Sequence, residues 1–195
     1  MPKHTTRESW ILAAVDLLRP IFLAKNHIIP TDVMVSCGFA STGKQSHHIG
    51  QCWSKRSSSN EVNPIFISPT LDEPVEVLDT LLHVLVHAVD DCQHKLGKEF
   101  KKIALSLGMQ GHMRSAGAGP ELKEKLGRLA QTLSPYPHGK LKVLHRKIVA
   151  KALARAKCPE CGFQVPMYRK FLAYGPLLCP KDKIEMTPIG NWEEA

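Results

Sequence analysis

The sequence predicts an α+β protein in three parts: a mixed helix-and-sheet domain over residues 1–139, a basic connector over 140–157 and a small metal-stapled module over 158–195. Three observations predict it. Apolar residues recur at helical spacing in four stretches, three strand-like runs lie between the first two of these, and cysteines at metal-ligand spacing close the chain.

The first helical stretch is "TTRESWILAAVDLLRPIFLAKN", with a capping box from Thr5 to Glu8 and apolar positions Ile11, Leu12, Val15 and Leu18. Pro20 should kink or end it. The runs "DVMVSCGF", "HHIGQCW" and "VNPIFISP" alternate or bunch apolar residues as strands do. The polar segments "ASTGKQS" and "SKRSSSNE" between them read as turns, so a sheet of at least three strands is expected. Asp72 suits an N-cap and Pro74 a first turn, opening a long helix to about Lys95, which Gly97 breaks. "KEFKKIALSLG" is a shorter helix ended by Gly108, and "GPELKEKLGRLAQTLSP" another with Pro120 in its first turn. "PYPHGK" reads as a domain boundary, and the first part of "LKVLHRKIVAKALARAK" suits a helix.

Composition narrows the class. With 195 residues, 43% hydrophobic and 23% charged, the chain resembles a globular protein, not a disordered one. No apolar run reaches membrane-spanning length, and the N-terminus keeps Asp16 and Arg19, so neither a transmembrane helix nor a signal peptide is expected. Six cysteines, three in a metal-type cluster, point to a reducing compartment and a cytoplasmic protein. The net charge of +8 is uneven: Lys140 to Lys183 holds eleven Lys or Arg against Glu160 and Asp182. A basic C-terminal quarter favours a polyanion, nucleic acid first; a merely solvated basic helix is the plainer alternative.

Within the long helix, His83 and His87 stand four apart, a spacing that offers two imidazoles from one face to a metal. Two packed helix histidines would show the same spacing. In a zinc hydrolase the residue after the first histidine is the glutamate base, and here it is Val84. A third ligand must come from elsewhere. His94 lies about 10 Å further along a straight helix and could reach only if the helix unwinds. Asp90 and Asp91 are nearer and can ligate or orient a histidine. Cys92 reads as packing.

"CPECG" supplies Cys158 and Cys161, and "LLCPKD" supplies Cys179, with Asp182 where a fourth ligand of a ribbon is wanted. His145 is an outside candidate for that place. A redox-active pair is the alternative, but no strand–helix context of the thioredoxin kind follows. Structural zinc is expected, because a segment this short scarcely folds without a staple. Arg146, Lys147, Lys151, Arg155, Lys157, Arg169 and Lys170, with Lys181 and Lys183, are the candidate phosphate contacts. Phe163, Tyr168, Phe171 and Tyr174 are interleaved with them. At least half of these aromatics are expected in the ribbon's own core, the rest being free to stack on bases.

In order along the chain, "VSCGF", "IGQCWS", "NPIFISPTLDEPVEVLDTLLHVLVHAV", "GKEFKKIALSLGM", "AGAGPELKEKL", "SPYPHGKL" and "CPECG" resemble the SprT-like metallopeptidases. The likeness is greatest to small phage and bacterial members with a C-terminal zinc ribbon. It implies a zincin-like domain of the Spartan group, proteases of DNA–protein crosslinks that hold zinc through an HExxH helix and a later histidine. His83 and His87 match that pattern. Val84 stands at the position of the catalytic glutamate, and Leu96 at that of the third histidine. Losing a general base alone is worth roughly 10²–10⁴-fold in rate, and two histidines hold zinc weakly. A degenerate peptidase site is therefore expected, in a protein that binds DNA or a DNA-bound protein without cutting. The rival is an active zinc peptidase with a shifted ligand set, Asp90 or Asp91 serving as base. A third reading is a protein-binding module for a transcription or repair factor.

Overall fold

Apolar residues three and four apart produce helix α1 (Arg7–Leu23) in the computed structural model, which describes residues 4–41, 48–143 and 154–190. Its cap lies one residue beyond the expected place. Thr6 accepts from the Ser9 N–H at 3.1 Å, while the Glu8 carboxylate is drawn away to the N–H of Cys37. Pro20 sits inside the helix without ending it. The buried face of α1 carries Trp10, Ile11, Leu18 and Phe22, each contributing roughly 1.5–3 kcal/mol of burial.

The chain divides into two units, Met1–Leu144 and His145–Ala195. In the first, β1 (Val33–Cys37), β2 (Gly50–Cys52) and β3 (Asn63–Ile67) form one sheet in the order β1-β3-β2. β1 pairs with β3 in parallel, Val33 opposite Asn63, and β2 runs antiparallel along the other side of β3, as the edge strand among the described residues. Helix α2 (Pro74–Val89) lies close on β2. A Cβ on Gly50 would come within 2.7 Å of Thr80 Cγ2 and 2.9 Å of Val84 Cγ1, so only glycine lets the strand and helix approach this far. Beyond α2 come α3 (Lys98–Ser106), a two-stranded ribbon of β4 (Met109–Gln110) and β5 (Gly117–Ala118), and α4 (Pro120–Thr132). The small ribbon had no signal in the sequence, being two residues a side.

Three expectations are corrected. Asp72 does not cap α2: Glu73 occupies that position, and the Asp72 carboxylate faces the backbone N–H and Nζ of Lys140. Helix α2 ends at Val89, six residues short of Lys95, because Asp91 and Cys92 turn into the left-handed region. The Asp91 carboxylate accepts there from the Lys55 N–H at 2.7 Å and Asn63 Nδ2 at 2.8 Å, bonds that a continued helix would forgo. "PYPHGK" is not a free boundary either. Arg7, only 7% exposed, donates to the carbonyls of Pro69, Pro137 and Gly139, and Tyr136 packs edge-on against Trp10 at 4.9 Å.

The second unit is a three-stranded antiparallel sheet of β6 (Arg155–Lys157), β7 (Gln164–Pro166) and β8 (Thr187–Ile189), ordered β7-β6-β8. Arg155 and Lys157, assigned to the connector, belong to β6. Residues 141–143, the start of the stretch expected to be helical, are not helix, and Leu141 N–H bonds the Pro69 carbonyl at 2.8 Å; Arg146, Lys147 and Lys151, with His145, lie outside the described residues.

Candidate functional site

Two short loops bring four ligand atoms together in the second unit. In the first, Gly162 donates to the Cys158 carbonyl at 3.1 Å with its own φ at +74°, and Cys158 N–H returns to the Phe163 carbonyl at 2.8 Å. The second repeats this pattern twenty-one residues on. Lys183, at φ +59°, donates to the Cys179 carbonyl at 2.9 Å, and Cys179 N–H reaches the Ile184 carbonyl at 2.8 Å. The ligand atoms of Cys158, Cys161, Cys179 and Asp182 all lie within 4.8 Å of one another, and Cys161 Sγ is 3.6 Å from Cys179 Sγ. A tetrahedral thiolate site with metal–sulfur bonds of about 2.3 Å has edges of roughly 3.8 Å, so the donors fit a metal ion. Asp182 Oδ2 accepts from Cys158 Sγ at 3.2 Å and Cys179 Sγ at 3.4 Å. Hydrogen bonds from Cys161 and Cys158 hold its carboxyl below the usual range, and the bond to Asp182 pushes the Cys161 thiol up to about 12. A metal ion would replace these protons. This group could hold a metal ion; no other cluster of three or more such donors occurs among the described residues.

Around the centre, the expectation for the aromatics fails. The core of this unit is Ala156, Cys158, Cys179 and Met186, backed by Val165, Met167 and Ile184. Phe163, Tyr168, Phe171 and Tyr174 are all exposed, Tyr168 at 75% and Tyr174 at 83%. With two strands ending on the cysteine loops, small residues suffice to fill the interior. Residues Arg169–Tyr174 form a 3-10 turn, whose three residues per turn align positions 168, 171 and 174 on one side. Phe171 and Tyr174 stack at 6.2 Å, and the Lys170 ammonium lies 4.7 Å from the Phe171 ring centroid. Arg155, Lys157, Lys181 and Lys183 are exposed as well. The Arg169 side chain lies outside the described residues.

In the first unit, a cleft of about 770 Å³ runs between α2, the edge strand β2 and the segments following α2 and β4. His83 and His87 both line it, their rings 5.6 Å apart. His83 Nδ1 stands 3.0 Å from the Ala116 carbonyl, an acceptor only, so Nδ1 carries the proton and Nε2 keeps its lone pair. Burial lowers the His83 pKa; burial first, then the neighbouring His83, lowers that of His87 to about 4. Both imidazoles are neutral at neutral pH, the form a metal takes. What is missing is the rest of a site. Val84 is 2% exposed beneath Gly50, Leu96 is half-buried and packed on the core, and the Phe100 ring lies 4.4 Å from that of His87. His94 is exposed and faces Asp90 Oδ2 at 3.2 Å, while Asp91 is held by Lys55 and Asn63. The residues present do not fit a peptidase zinc, which needs three protein ligands and a base.

Asp79 was not anticipated. It stands one helical turn before His83 and lines the same cleft, its Oδ1 accepting from the Ala118 N–H at 2.8 Å. Burial pushes its carboxyl up. The i, i+4 spacing of Asp79, His83 and His87 was the available signal. Cys92, read as packing, is half-buried and lines the cleft, as does Cys52.

No family model, no curated protein and no solved structure matches this chain. No helix among the described residues is long and apolar enough to cross a membrane.

Proposed function

We propose that the chain is a SprT-like protein of zincin-like fold, whose C-terminal unit is a zinc ribbon that binds DNA and whose cleft holds a protein segment without hydrolysing it. The observation that carries the reading is the exposure of all four ribbon aromatics, with the Lys170 ammonium 4.7 Å from the Phe171 ring centroid. Apolar rings left uncovered next to cations suit bases and phosphates together. Cys158, Cys161, Cys179 and Asp182 would hold the zinc, a closed four-donor set that organises the fold and leaves no open position for chemistry.

Support for a disabled cleft comes from Val84 and Leu96, apolar where a base and a ligand are needed. The two acids expected to serve a shifted ligand set are engaged elsewhere, Asp90 with His94 and Asp91 with Lys55 and Asn63. The active-peptidase reading would need its third ligand from Asp79, which lines the cleft but forms no cluster of three donors with the histidines among the described residues.

The test is a fluorescence titration of labelled DNA with the full-length protein at rising salt. Several neutralised phosphates predict log affinity falling steeply with log salt, about 0.9 per phosphate on duplex. Affinity that barely changes from low to moderate salt would overturn the DNA reading.

A further inference from the structure

The three ribbon sulfurs are not equivalent. Cys158 and Cys179 are fully buried, whereas Cys161 is exposed. Asp182 Oδ2 lies against the buried pair, 3.2 Å from Cys158 Sγ and 3.4 Å from Cys179 Sγ. Cys161 Sγ lies 3.6 Å from Cys179 Sγ, so the contact between the two loops joins a sulfur that solvent reaches to one that it does not. The chain on both sides of this contact is fixed by the Gly162 N–H on the Cys158 carbonyl and the Lys183 N–H on the Cys179 carbonyl. A metal-bound cysteine is a thiolate, and the thiolate is the form that attacks a disulfide. Because Asp182 stands where a fourth sulfur would complete the set, the group can form one disulfide, and what is left is one thiol and one carboxylate. Two such donors do not make a closed zinc site.

We propose, on the zinc-ribbon reading, that Cys161 is a site of oxidation by low-molecular-weight disulfides and hands that oxidation to Cys179, closing a Cys161–Cys179 disulfide that expels the metal. The Cys161 thiolate attacks one sulfur of the small disulfide RSSR; the S–S bond of RSSR breaks, RS⁻ leaves and Cys161 carries SR. The Cys179 thiolate then attacks the Cys161 sulfur, a bond forms between the two protein sulfurs and the second RS⁻ leaves. The protein gives up two electrons, RSSR takes them, and no proton moves, since both protein sulfurs begin as metal-bound thiolates. Cys158 and Asp182 remain as donors. Excess RS⁻ together with zinc runs the same steps backwards.

Full-length protein, assayed for zinc as isolated, is mixed with oxidised or with reduced glutathione in the presence of the zinc dye 4-(2-pyridylazo)resorcinol. Samples are then denatured in N-ethylmaleimide, cut with trypsin and Glu-C and read by mass spectrometry. Cleavage after Glu160 separates Cys158 from Cys161, and cleavage after Arg169 and Lys170 separates both from Cys179. Zinc should pass to the dye in the oxidised arm and stay bound in the reduced one. For each zinc lost, one Cys161 peptide should appear joined to one Cys179 peptide, about 2 Da lighter than their sum, with Cys158 alkylated. Dithiothreitol and added zinc should reverse both changes. Zinc held throughout the oxidised arm would overturn the proposal and leave the zinc ribbon standing. So would equal release in both arms, or release with Cys161 left carrying glutathione or joined to Cys158. Protein that holds no zinc as isolated would overturn the ribbon reading and the proposal together.

Discussion

Asp182 stands in the second cysteine loop where Cys161 stands in the first. Each is three residues after a buried cysteine, Cys179 or Cys158, and each precedes a left-handed residue, Lys183 or Gly162, that donates back to that cysteine's carbonyl. The two loops are one structural unit used twice, and the carboxylate sits at the repeat of a thiolate. That relationship, more than proximity alone, marks Asp182 as the fourth donor of a group that could hold a metal ion.

Asp182→Cys should therefore complete a four-thiolate site. In chelator competition it is expected to hold zinc on the order of tenfold more tightly than wild type, and Asp182→Ala on the order of tenfold less. Zinc analysis should find one ion per chain, lost in Cys158→Ser/Cys161→Ser and kept in His83→Ala/His87→Ala. Two ions per chain, one lost with each pair, would restore the cleft as a metal site.

The cleft histidines give stability a definite pH dependence. His87 has its folded pKa held near 4 by burial, against 6.5 for the ordinary side chain. Between those values the unfolded chain carries a proton that the folded chain lacks. Stability is thus lost as pH falls from 6.5, and the penalty is complete below about 4. It amounts to roughly 3 kcal/mol. His83 is lowered by the same cause and adds in the same sense, while the raised carboxyl of Asp79 acts in the opposite one. His87→Leu should flatten this limb in urea unfolding measured across pH 7 to 4. Parallel wild-type and variant curves would mean that His87 is protonated in the folded protein.

Several elements were legible in the sequence because their signals are local. The three strands, α3, α4 and the cysteine spacing follow from alternation, Gly108, Pro120 and C-x-x-C, all readable within a few residues. What was not legible depended on partners distant in the chain. Asp72 looks like an N-cap until Lys140 is placed beside it, and the α2 helix looks longer until Asp91 finds Lys55 and Asn63. In the site, Asp182 and the His83–His87 pair were visible from spacing, but the exposure of the ribbon aromatics was not. That depends on how little interior the two cysteine loops leave to fill.

Arg7 illustrates the same point and gives a sharp stability test. Its guanidinium spans the carbonyls of Pro69 at 3.0 Å, Pro137 at 3.1 Å and Gly139 at 2.7 Å from a nearly buried position. Arg7→Ala removes this donor from all three carbonyls, Pro69 alone keeping the Leu141 N–H at 2.8 Å, and should cost about 2–4 kcal/mol, read as a lower midpoint in thermal or urea melts. Arg7→Lys should recover less than half, since a single ammonium cannot span three separate acceptors. A variant with wild-type stability would show that residues 137–139 hold without the clamp.

A glutamate at position 84 should not by itself produce a peptidase. Val84→Glu places a carboxylate at a buried site beneath Gly50, at a cost of roughly 1–3 kcal/mol, and the apolar Leu96 still leaves His83 and His87 without a third donor. Only Val84→Glu/Leu96→His is expected to raise zinc from one to two per chain and to cleave an unfolded protein substrate. Full cleavage by the single variant would mean that Leu96 is not where the ligand is missing.

On the ribbon, charge and stacking should separate cleanly in the binding data. Lys170 neutralises phosphate in this reading, so Lys170→Ala should lower the slope of log affinity against log salt by about 1 on duplex. Tyr174 carries no charge, and its ring is too exposed to support the fold. Tyr174→Ala should leave both the slope and the melting temperature unchanged. Its cost should fall on single-stranded DNA, about 1–3 kcal/mol for a lost base stack, and be smaller on duplex, whose bases are already stacked. If Tyr174→Ala weakens both forms equally, the ring meets the backbone instead of a base. If it weakens neither, the aromatic row serves a partner other than DNA, and the cations alone carry the nucleic-acid contact.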